Sequence, residues 1–186
     1  MKSTLVCSLR CAAFLSVALV FNGCKQVKEM ISFNLPLQTV DVKFTLPPLE
    51  EGQAEAADLD VYLNVDSLIK EEASNMSAEN IRSVKIQSMV LTVENFTTED
   101  HFGALTSCSA GLASELKPDF INVAELTNNP ETYATSLSLP VKADTELKDY
   151  FASKKFTYRV TATSRRATTT TLNCKATIKL KAEIGL

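Results

Sequence analysis

The last long alternating stretch of the chain places the strongest limit on its fold. From Leu172 to Ile184, apolar residues alternate with polar ones at every step. Successive side chains of a β-strand point to opposite sides, so this pattern predicts a strand with one face on an apolar core and the other in water. Such a strand belongs to an antiparallel sheet that packs on one side only.

Shorter runs of the same alternation recur along the chain and predict further strands. Between residues 81 and 94 the apolar phase changes near Gln87 and Ser88, which predicts a β-bulge or a strand that crosses between sheets. A strand buried on both faces around residues 89–91 is the alternative. Pro140 predicts an edge position or the end of its strand. The predicted strands lie near residues 40–46, 59–65, 81–94, 108–112, 120–126, 137–141, 156–162 and 172–184.

Helical signals are confined to two short segments, residues 67–74 and 144–152. About eight strands with so little helix predict a mainly β fold, an antiparallel β-sandwich of two packed sheets. A β-barrel is the alternative, because it needs the same inward alternation. The polar segment 164–171 is predicted to be a hairpin loop between the last two strands.

The first 24 residues form a charged and then apolar leader. Lys2 and Arg10 precede the apolar segment 11–21, which is too short for a bilayer span of about 20 residues. The segment closes with Gly23 and Cys24, a small residue followed by a thiol. This stretch resembles the lipobox of the bacterial lipoprotein class. The resemblance implies cleavage after Gly23, diacylglycerol on the Cys24 sulfur and acylation of the new amino group, which together give stable anchoring.

The leader sets the expected domain organisation and location. Residues 1–23 are predicted to be the signal peptide, 24–36 the lipidated N-terminus and tether, and 37–186 the β-sandwich domain. A short helix or strand packed on the domain is the alternative for the tether. Because Lys25 replaces the Asp that commonly retains lipoproteins in the inner membrane, analogy favours the outer membrane of the cell envelope. An ordinary secreted protein cut elsewhere, for instance after Ala18, is the alternative to lipidation.

Two cysteines remain once the leader has left and Cys24 is acylated. Cys108 and Cys174 each share the strand parity of apolar neighbours, so both are predicted to face the core. An even pair in an exported protein predicts a disulfide between them, with two buried free thiols as the alternative. Short strands with a buried cysteine pair are similar to immunoglobulin-like sandwiches, although this chain lacks the Trp that packs on their disulfide.

Charge and motifs argue against several classes of function. The formal net charge is −3 without a basic block, so we expect no nucleic-acid partner. His101 is the only histidine and no Gly-x-Ser-x-Gly motif is present, so we expect a surface His101 and no catalytic residues. No metal or cofactor is expected. The acidic residues Asp58, Asp60, Glu99 and Asp100 are compatible with Ca²⁺ but are explained equally by solvated positions.

The functional hypotheses rest on one polar loop and on the predicted location in the cell envelope. Arg165, Arg166, Thr168 and Thr169 form a candidate binding loop for an anion or a glycan, unless the threonines only favour strand structure. The first hypothesis is a non-catalytic envelope lipoprotein with a binding or structural role, whose partner is another envelope protein or a surface ligand. A carrier of a small apolar ligand or lipid between the sheets is the second. An enzyme or a glycan-binding module is the third. Exposed aromatic residues and Arg at one end would favour the first, and a cavity the second.

Overall fold

The computed structural model describes residues 32–37 and 39–185. The predicted signal peptide, Cys24 and the first part of the predicted tether lie outside the described residues. Within them the chain forms nine strands, one α-helix and three 3-10 turns. The strands are β1 Ser32–Pro36, β2 Val40–Leu46, β3 Ala54–Tyr62, β4 Ile81–Val93, β5 Leu105–Ser114, β6 Lys117–Leu126, β7 Ser136–Leu139, β8 Lys155–Ser164 and β9 Leu172–Gly185; helix α1 is Val65–Glu72, and the 3-10 turns are Ala78–Asn80, Phe102–Ala104 and Tyr150–Ala152.

The strands form two antiparallel sheets with a shared core. Sheet A has the order β1-β9-β4-β7, and β2 pairs with the other half of β9. Sheet B has the order β3-β8-β5-β6. One isolated bridge from Ala124 to Val141 links the sheets on the β6–β7 side, whereas β2 and β3 pair only with β9 and β8 over the described residues. The predicted β-sandwich is therefore confirmed, and the sheets do not close into the alternative barrel.

Strand β9 lies inside sheet A and has the two faces that its alternation predicts. The residues from Leu172 to Ile184 that share one parity are buried, and the residues between them are half-buried or exposed. Each large apolar side chain that is fully removed from water contributes about 1.5–3 kcal/mol to folding. Side chains from both sheets fill the space between them, including the fully buried Met89, Tyr158 and Ile178.

Strand β4 contains the predicted β-bulge. Its pairing with β9 shifts register between Ile86 and Ser88, at the position where the apolar phase changes. The extra residue lets Val84 and Met89 both face the core although their positions have opposite parity. Pro140 directly follows β7, an edge strand of sheet A, as predicted.

One of the two predicted helices is formed. The first is helix α1, whose N-terminus is capped by the Asn64 side chain. The second, over residues 144–152, is absent apart from the 3-10 turn at its end. There the Glu146 carboxylate accepts hydrogen bonds from the N–H groups of Val84, Leu147 and Lys148, and the Leu147 N–H donates to the Val84 carbonyl. These bonds hold the segment on β4 as a turn, a long-range effect that local amphipathic spacing does not reveal.

The predicted hairpin loop at residues 164–171 is wrong. Strand β8 belongs to sheet B and β9 to sheet A, so this connection crosses from one sheet to the other. Two half-buried strands show the same alternation whether a hairpin or a crossover joins them, which explains the error. Of the segment assigned to the tether, residues 32–36 form β1 against β9, which is the strand alternative stated above.

The antiparallel strands give the sandwich two distinct ends. Strand β9 ends at Gly185, which pairs with Ser32, so β1 begins at this end, which we call the base. The strand registers place four connections at the other end, which we call the tip. At about 3.3 Å per residue, β9 separates tip and base by roughly 40 Å. The tip loops are residues 47–53, 94–104, 127–135 and 165–171.

Candidate binding surface at the tip

Hydrogen bonds join the first tip loop to the last. The Leu49 N–H donates to Thr168 Oγ1 at 2.8 Å, and the Thr168 N–H donates to the Leu49 carbonyl oxygen at 2.8 Å. The Ser164 hydroxyl donates to the carbonyl oxygen of Glu50. Thr168 is buried, so its hydroxyl holds two loops together and is not offered to a ligand.

Asn129 joins the third tip loop to the second. Its buried side-chain amide donates to the carbonyl oxygens of Phe102 and Leu105 at 2.8 and 3.0 Å. The backbone carbonyl oxygen of Asn129 accepts a hydrogen bond from the Arg165 guanidinium, which also donates to the Leu105 carbonyl oxygen at 3.3 Å. Buried amides that are paired in this way hold loops in one arrangement. The Arg165 side chain therefore makes structural contacts within the tip.

Asp100 is a buried carboxylate that holds the fourth tip loop. Its oxygens accept hydrogen bonds from the backbone N–H groups and the hydroxyls of Thr169 and Thr170, at 2.8–3.3 Å. Burial alone would raise the pKa of Asp100, but these four donors favour the ionised carboxylate and lower its pKa below 3.8. The sequence analysis considered Asp100 as a solvated loop residue or a Ca²⁺ ligand. In the structure it is instead a hydrogen-bond acceptor that holds a loop in place.

His101 is buried, so the prediction of a surface histidine is wrong. Its Nδ1 accepts the N–H of Gly103 at 2.9 Å, and its ring centroid lies 4.9 Å from that of Tyr133. Its Nε2 is 3.5 Å from an Arg166 nitrogen. A Cβ atom at Gly103 would overlap both the Thr132 carbonyl oxygen and the His101 ring, so glycine is required there. The histidine thus forms a support beneath exposed side chains.

Two aromatic rings and an ion pair form the outer layer of the tip. Phe96 and Tyr133 are 45% and 56% exposed, and their rings meet edge to face with centroids 6.0 Å apart. Arg166 donates to Glu131 Oε1 at 2.7 Å and to the Glu99 carbonyl oxygen at 2.8 Å. Aromatic residues and Arg dominate the energetics of protein interfaces. We call Phe96, Glu131, Tyr133 and Arg166 the aromatic–arginine surface, and it is the candidate functional site.

Acidic residues outnumber basic ones in the tip loops. The two arginines of the tip are both occupied by contacts within it, as described above. Glu131 is paired with Arg166 and Glu94 with Lys43, whereas the other glutamates have no ion pair among the described residues. The tip loops, whose acidic residues we call the acidic rim, therefore carry net negative charge. The acidic residues of the tip loops are Glu50, Glu51, Glu94, Glu99, Asp100 and Glu131.

The predicted binding loop contributes one residue to this surface. Arg165, Thr168 and Thr169 make contacts that hold the tip together, although Thr169 is exposed, and Arg166 is the residue of this loop that pairs with Glu131 in the outer layer. Sequence reasoning missed Phe96 and Tyr133. The available signal was a large aromatic residue in a segment without strand alternation, where no core position explains it.

Cys108 and Cys174 lie in the core on opposite sheets. Both are 2% exposed, Cys108 on β5 and Cys174 on β9. The structure contains both as free thiols. Burial raises the pKa of each thiol to about 12; the charge of Cys174 adds to the effect on the pKa of Cys108, and the charge of Glu94 to that on the pKa of Cys174. The disulfide between them stays a prediction.

The acidic residues considered for Ca²⁺ do not meet. Asp58 on β3 forms a bidentate pair with Arg159, and Asp60 pairs with Lys155 at 2.9 Å, far from Asp100 at the tip. Residues 32–37 and 39–185 contain no group of three or more His, Cys, Asp or Glu side chains that would hold a metal ion. No helix in this part of the chain has the length and apolar character of a membrane span.

A cleft lies at the open side of the sandwich. It has a volume of 290 Å³ and is lined by residues 39–42, around β2, and 60–63, around the end of β3. This volume is at the lower limit of ordinary ligand pockets, which span about 300–1,000 Å³. The space between the sheets is otherwise occupied by the core side chains.

Comparisons with known proteins identify no family. No family model and no curated protein matches the chain. Among solved structures, it is similar to a chain of Desmodium yellow mottle tymovirus (12% identity, covering 82% of this chain and 90% of that one, TM-score 0.26). It is also similar to a chain of turnip yellow mosaic virus (10% identity, 81% and 96%, TM-score 0.25). A third chain is described as one of the carbohydrate-binding modules from the β-sandwich superfamily (7% identity, 83% and 56%, TM-score 0.29). Likenesses of this size carry no argument about function.

Proposed function

We propose that this chain is a lipid-anchored envelope protein whose β-sandwich binds another envelope protein through the aromatic–arginine surface. The observation that carries the proposal is the combination of the exposed Phe96 and Tyr133 with the half-buried Arg166, above a hydrogen-bonded support. A Cys24 lipid, expected from the leader, holds the chain at the membrane. No catalytic step is part of the proposal.

The support beneath the surface favours binding because it removes an entropic cost. A loop that must become ordered on association loses affinity, whereas one already held in place does not. Asp100 fixes the fourth tip loop, and Asn129 fixes the third against the second. The exposed side chains therefore project from a surface that is formed before a partner arrives.

The shape of the exposed surface favours a protein partner over a glycan. Phe96 and Tyr133 meet at 79°, so together they present a ring and an edge and do not form a flat platform for a sugar ring. The acidic rim adds electrostatic selectivity, because complementary charge steers encounter and disfavours wrong partners. The expected partner surface is apolar at its centre and basic at its margin.

The position of the tip supports the combination of an anchor with a binding site. Strand β1 begins at the base, and the aromatic–arginine surface lies at the other end of β9, roughly 40 Å away. Anchoring and binding therefore use different ends of the domain. The carrier hypothesis remains second, with the 290 Å³ cleft at the β2–β3 side as its observation.

The anchor is tested by replacing Cys24 with Ser in cells that receive labelled palmitate. We expect the unmodified chain to take up label and to partition into detergent, and the Cys24→Ser variant to lose both properties. Cys11→Ser, in the part of the leader that is predicted to be removed, is the matched control and should behave as the unmodified chain. Label and detergent partitioning that persist in Cys24→Ser would refute the anchor.

The proposed binding of a partner protein is tested on membranes solubilised in mild detergent. We expect the chain to elute in a complex larger than itself, and the complex to dissociate in Tyr133→Ala and Arg166→Ala variants. Tyr62→Ala is the matched control, because Tyr62 is 73% exposed but lies where β3 ends, at the base. Loss of the complex in Tyr62→Ala to the same extent, or its survival in Tyr133→Ala, would contradict the assignment.

A further inference from the structure

Two lysines face each other on the outer side of sheet A. Lys85 on β4 is directly opposite Lys181 on β9, and both alternate with buried neighbours, so both point away from the core. Lys179, two residues along the same face of β9, is opposite Ser88. Like charges in directly opposite strand positions destabilise a sheet. We call Lys85, Lys179 and Lys181 the lysine face.

A second lysine pair on the same side of sheet A provides an internal comparison. Lys43 on β2 is directly opposite Lys175 on β9. This pair is compensated, because Lys43 lies 3.7 Å from Glu94 and Lys175 lies 3.9 Å from Asp41. The lysine face has no such compensation, since none of its three ammonium groups forms an ion pair with any residue of 32–37 or 39–185.

The lysine face lies in the half of sheet A that is nearer the base. Lys181 is opposite Pro36 of β1, and Ser32 at the start of β1 is opposite Gly185. The eight residues 24–31 between the predicted lipid and β1 reach at most about 28 Å when fully extended. An anchored domain therefore keeps the lysine face within reach of the lipid surface that holds it.

We propose that the lysine face docks on anionic phospholipid headgroups of the membrane that carries the anchor. The inference rests on the proposed lipid anchor, which supplies proximity. Lysines near an anionic bilayer surface gain favourable electrostatic energy, and this gain offsets the repulsion between Lys85 and Lys181. Two carboxylates border the lysine face: Glu183, on the same face of β9 and opposite Asn34 and Ser83, and Glu146, which is hydrogen-bonded to Ser83; the three lysines outnumber them.

The charge of the tip is opposite in sign to that of the lysine face, and this difference favours one orientation on the membrane. The lysine face attracts an anionic surface, whereas the acidic rim of the tip is repelled by it. The domain therefore lies on the basal half of sheet A with the tip tilted away from the lipid. In this orientation the aromatic–arginine surface stays accessible to a partner while the anchor and the lysine face are both engaged.

The test measures lysine acetylation on the full chain mixed with vesicles. One set of vesicles contains phosphatidylcholine alone, and the other contains phosphatidylcholine with phosphatidylglycerol. We expect Lys85, Lys179 and Lys181 to be protected on the second set only, with protection lost at high salt, while Lys43 and Lys175 react equally on both. Equal reactivity of the lysine face on the two sets would overturn the proposal. Equal protection by inorganic phosphate without vesicles would also overturn it, because a small-anion site would then explain the result.

Variants separate the lysine face from a general effect of charge. We expect Lys85→Gln/Lys181→Gln to weaken protection of Lys179 by about fivefold for each lysine removed, and to melt no lower than the unmodified chain. Lys43→Gln/Lys175→Gln removes the same charge from the compensated pair and should leave the protection unchanged. Lys179→Gln, which faces only Ser88, provides a second variant and should weaken protection of Lys85 by about fivefold.

Flotation distinguishes a failed anchor from a failed lysine face. Vesicles of phosphatidylcholine alone carry no net charge, so co-flotation with them reports the anchor independently of the lysines. Co-flotation without lysine protection on anionic vesicles would retain the anchor and refute the lysine face. Lysine protection on anionic vesicles without co-flotation on neutral ones would retain the lysine face and refute the anchor.

Discussion

Replacing Asp100 with Ala removes the shared acceptor that holds the fourth tip loop. The hydroxyls of Thr169 and Thr170 can rotate toward other acceptors, but the two backbone N–H groups cannot. A buried donor left without a partner costs about 1–3 kcal/mol, so two buried donors would cost about 2–6 kcal/mol. Because Thr169 is exposed and Thr170 is half-buried, water reaches both N–H groups, and we expect the lower part of this range, about 3 kcal/mol.

The assays are urea unfolding, which gives the free energy, and thermal unfolding, which gives the melting temperature, both monitored by far-ultraviolet circular dichroism. For a domain of this size, a loss of about 3 kcal/mol lowers the melting temperature by roughly 6–12 °C. Glu51→Ala is the matched control, because Glu51 is an exposed acid of the tip without an ion pair in the part of the chain that the structure describes. We expect the control to change stability by less than about 0.5 kcal/mol.

The effect of Asp100→Ala also depends on pH in a definite direction. The hydrogen bonds of the tip favour ionised Asp100 and lower its pKa in the folded state, relative to about 3.9 in the unfolded chain. The contribution is fully present above the unfolded pKa and is lost as the pH falls through the folded pKa. The stability difference between the two proteins should therefore be constant near neutral pH and shrink below about pH 4. A loss below about 1 kcal/mol at neutral pH, or a difference that does not shrink in acid, would refute the role of Asp100.

Three further changes test other parts of the fold. Gly103→Ala should lower the free energy of unfolding by about 1–3 kcal/mol, because its Cβ meets backbone and ring atoms. Gly111→Ala should lower it clearly less, because its Cβ would lie 3.3 Å or more from its nearest neighbours. Equal melting temperatures for the two variants would contradict this. Ile178→Ala, in the buried face of β9, should cost about 2–5 kcal/mol in urea unfolding, and a cost below about 1 kcal/mol would place β9 outside the core. A thiol reagent applied to unfolded protein without reductant should modify neither Cys108 nor Cys174 if the predicted disulfide forms, with a stabilisation of about 4 kcal/mol; two modified cysteines would rule it out.

Alternation of apolar residues predicted those parts of the fold that depend on one strand and its own two faces. The buried side of β9, the bulge in β4 near Ser88 and the edge position before Pro140 were all visible locally. Pairing between strands was not, because a strand with one dry face has the same pattern in either sheet. The 164–171 crossover and the turn that Glu146 holds on β4 both depend on such distant partners.

The candidate site was predictable only in part, for a similar reason. Arg166 was selected from a polar loop, and it does reach the surface of the tip. Asp100 and His101 were assigned to solvent because acidic loop segments usually are solvated. Their burial depends on two other connections, residues 127–135 and 165–171, which contact them. For Tyr133 the sequence carried only the lack of strand alternation around it, and its contacts with Phe96 and His101 depend on the tertiary arrangement.

Site-specific photocrosslinking in living cells tests the central claim most directly. A benzophenone amino acid placed at Tyr133 would occupy the aromatic–arginine surface, and the same residue at Tyr62 would provide the control at the base. The account predicts a discrete crosslinked protein adduct from position 133 that Arg166→Ala abolishes, and no such adduct from position 62. The account would be contradicted by an adduct from position 62 alone, or by equal adducts from both positions that persist in Arg166→Ala.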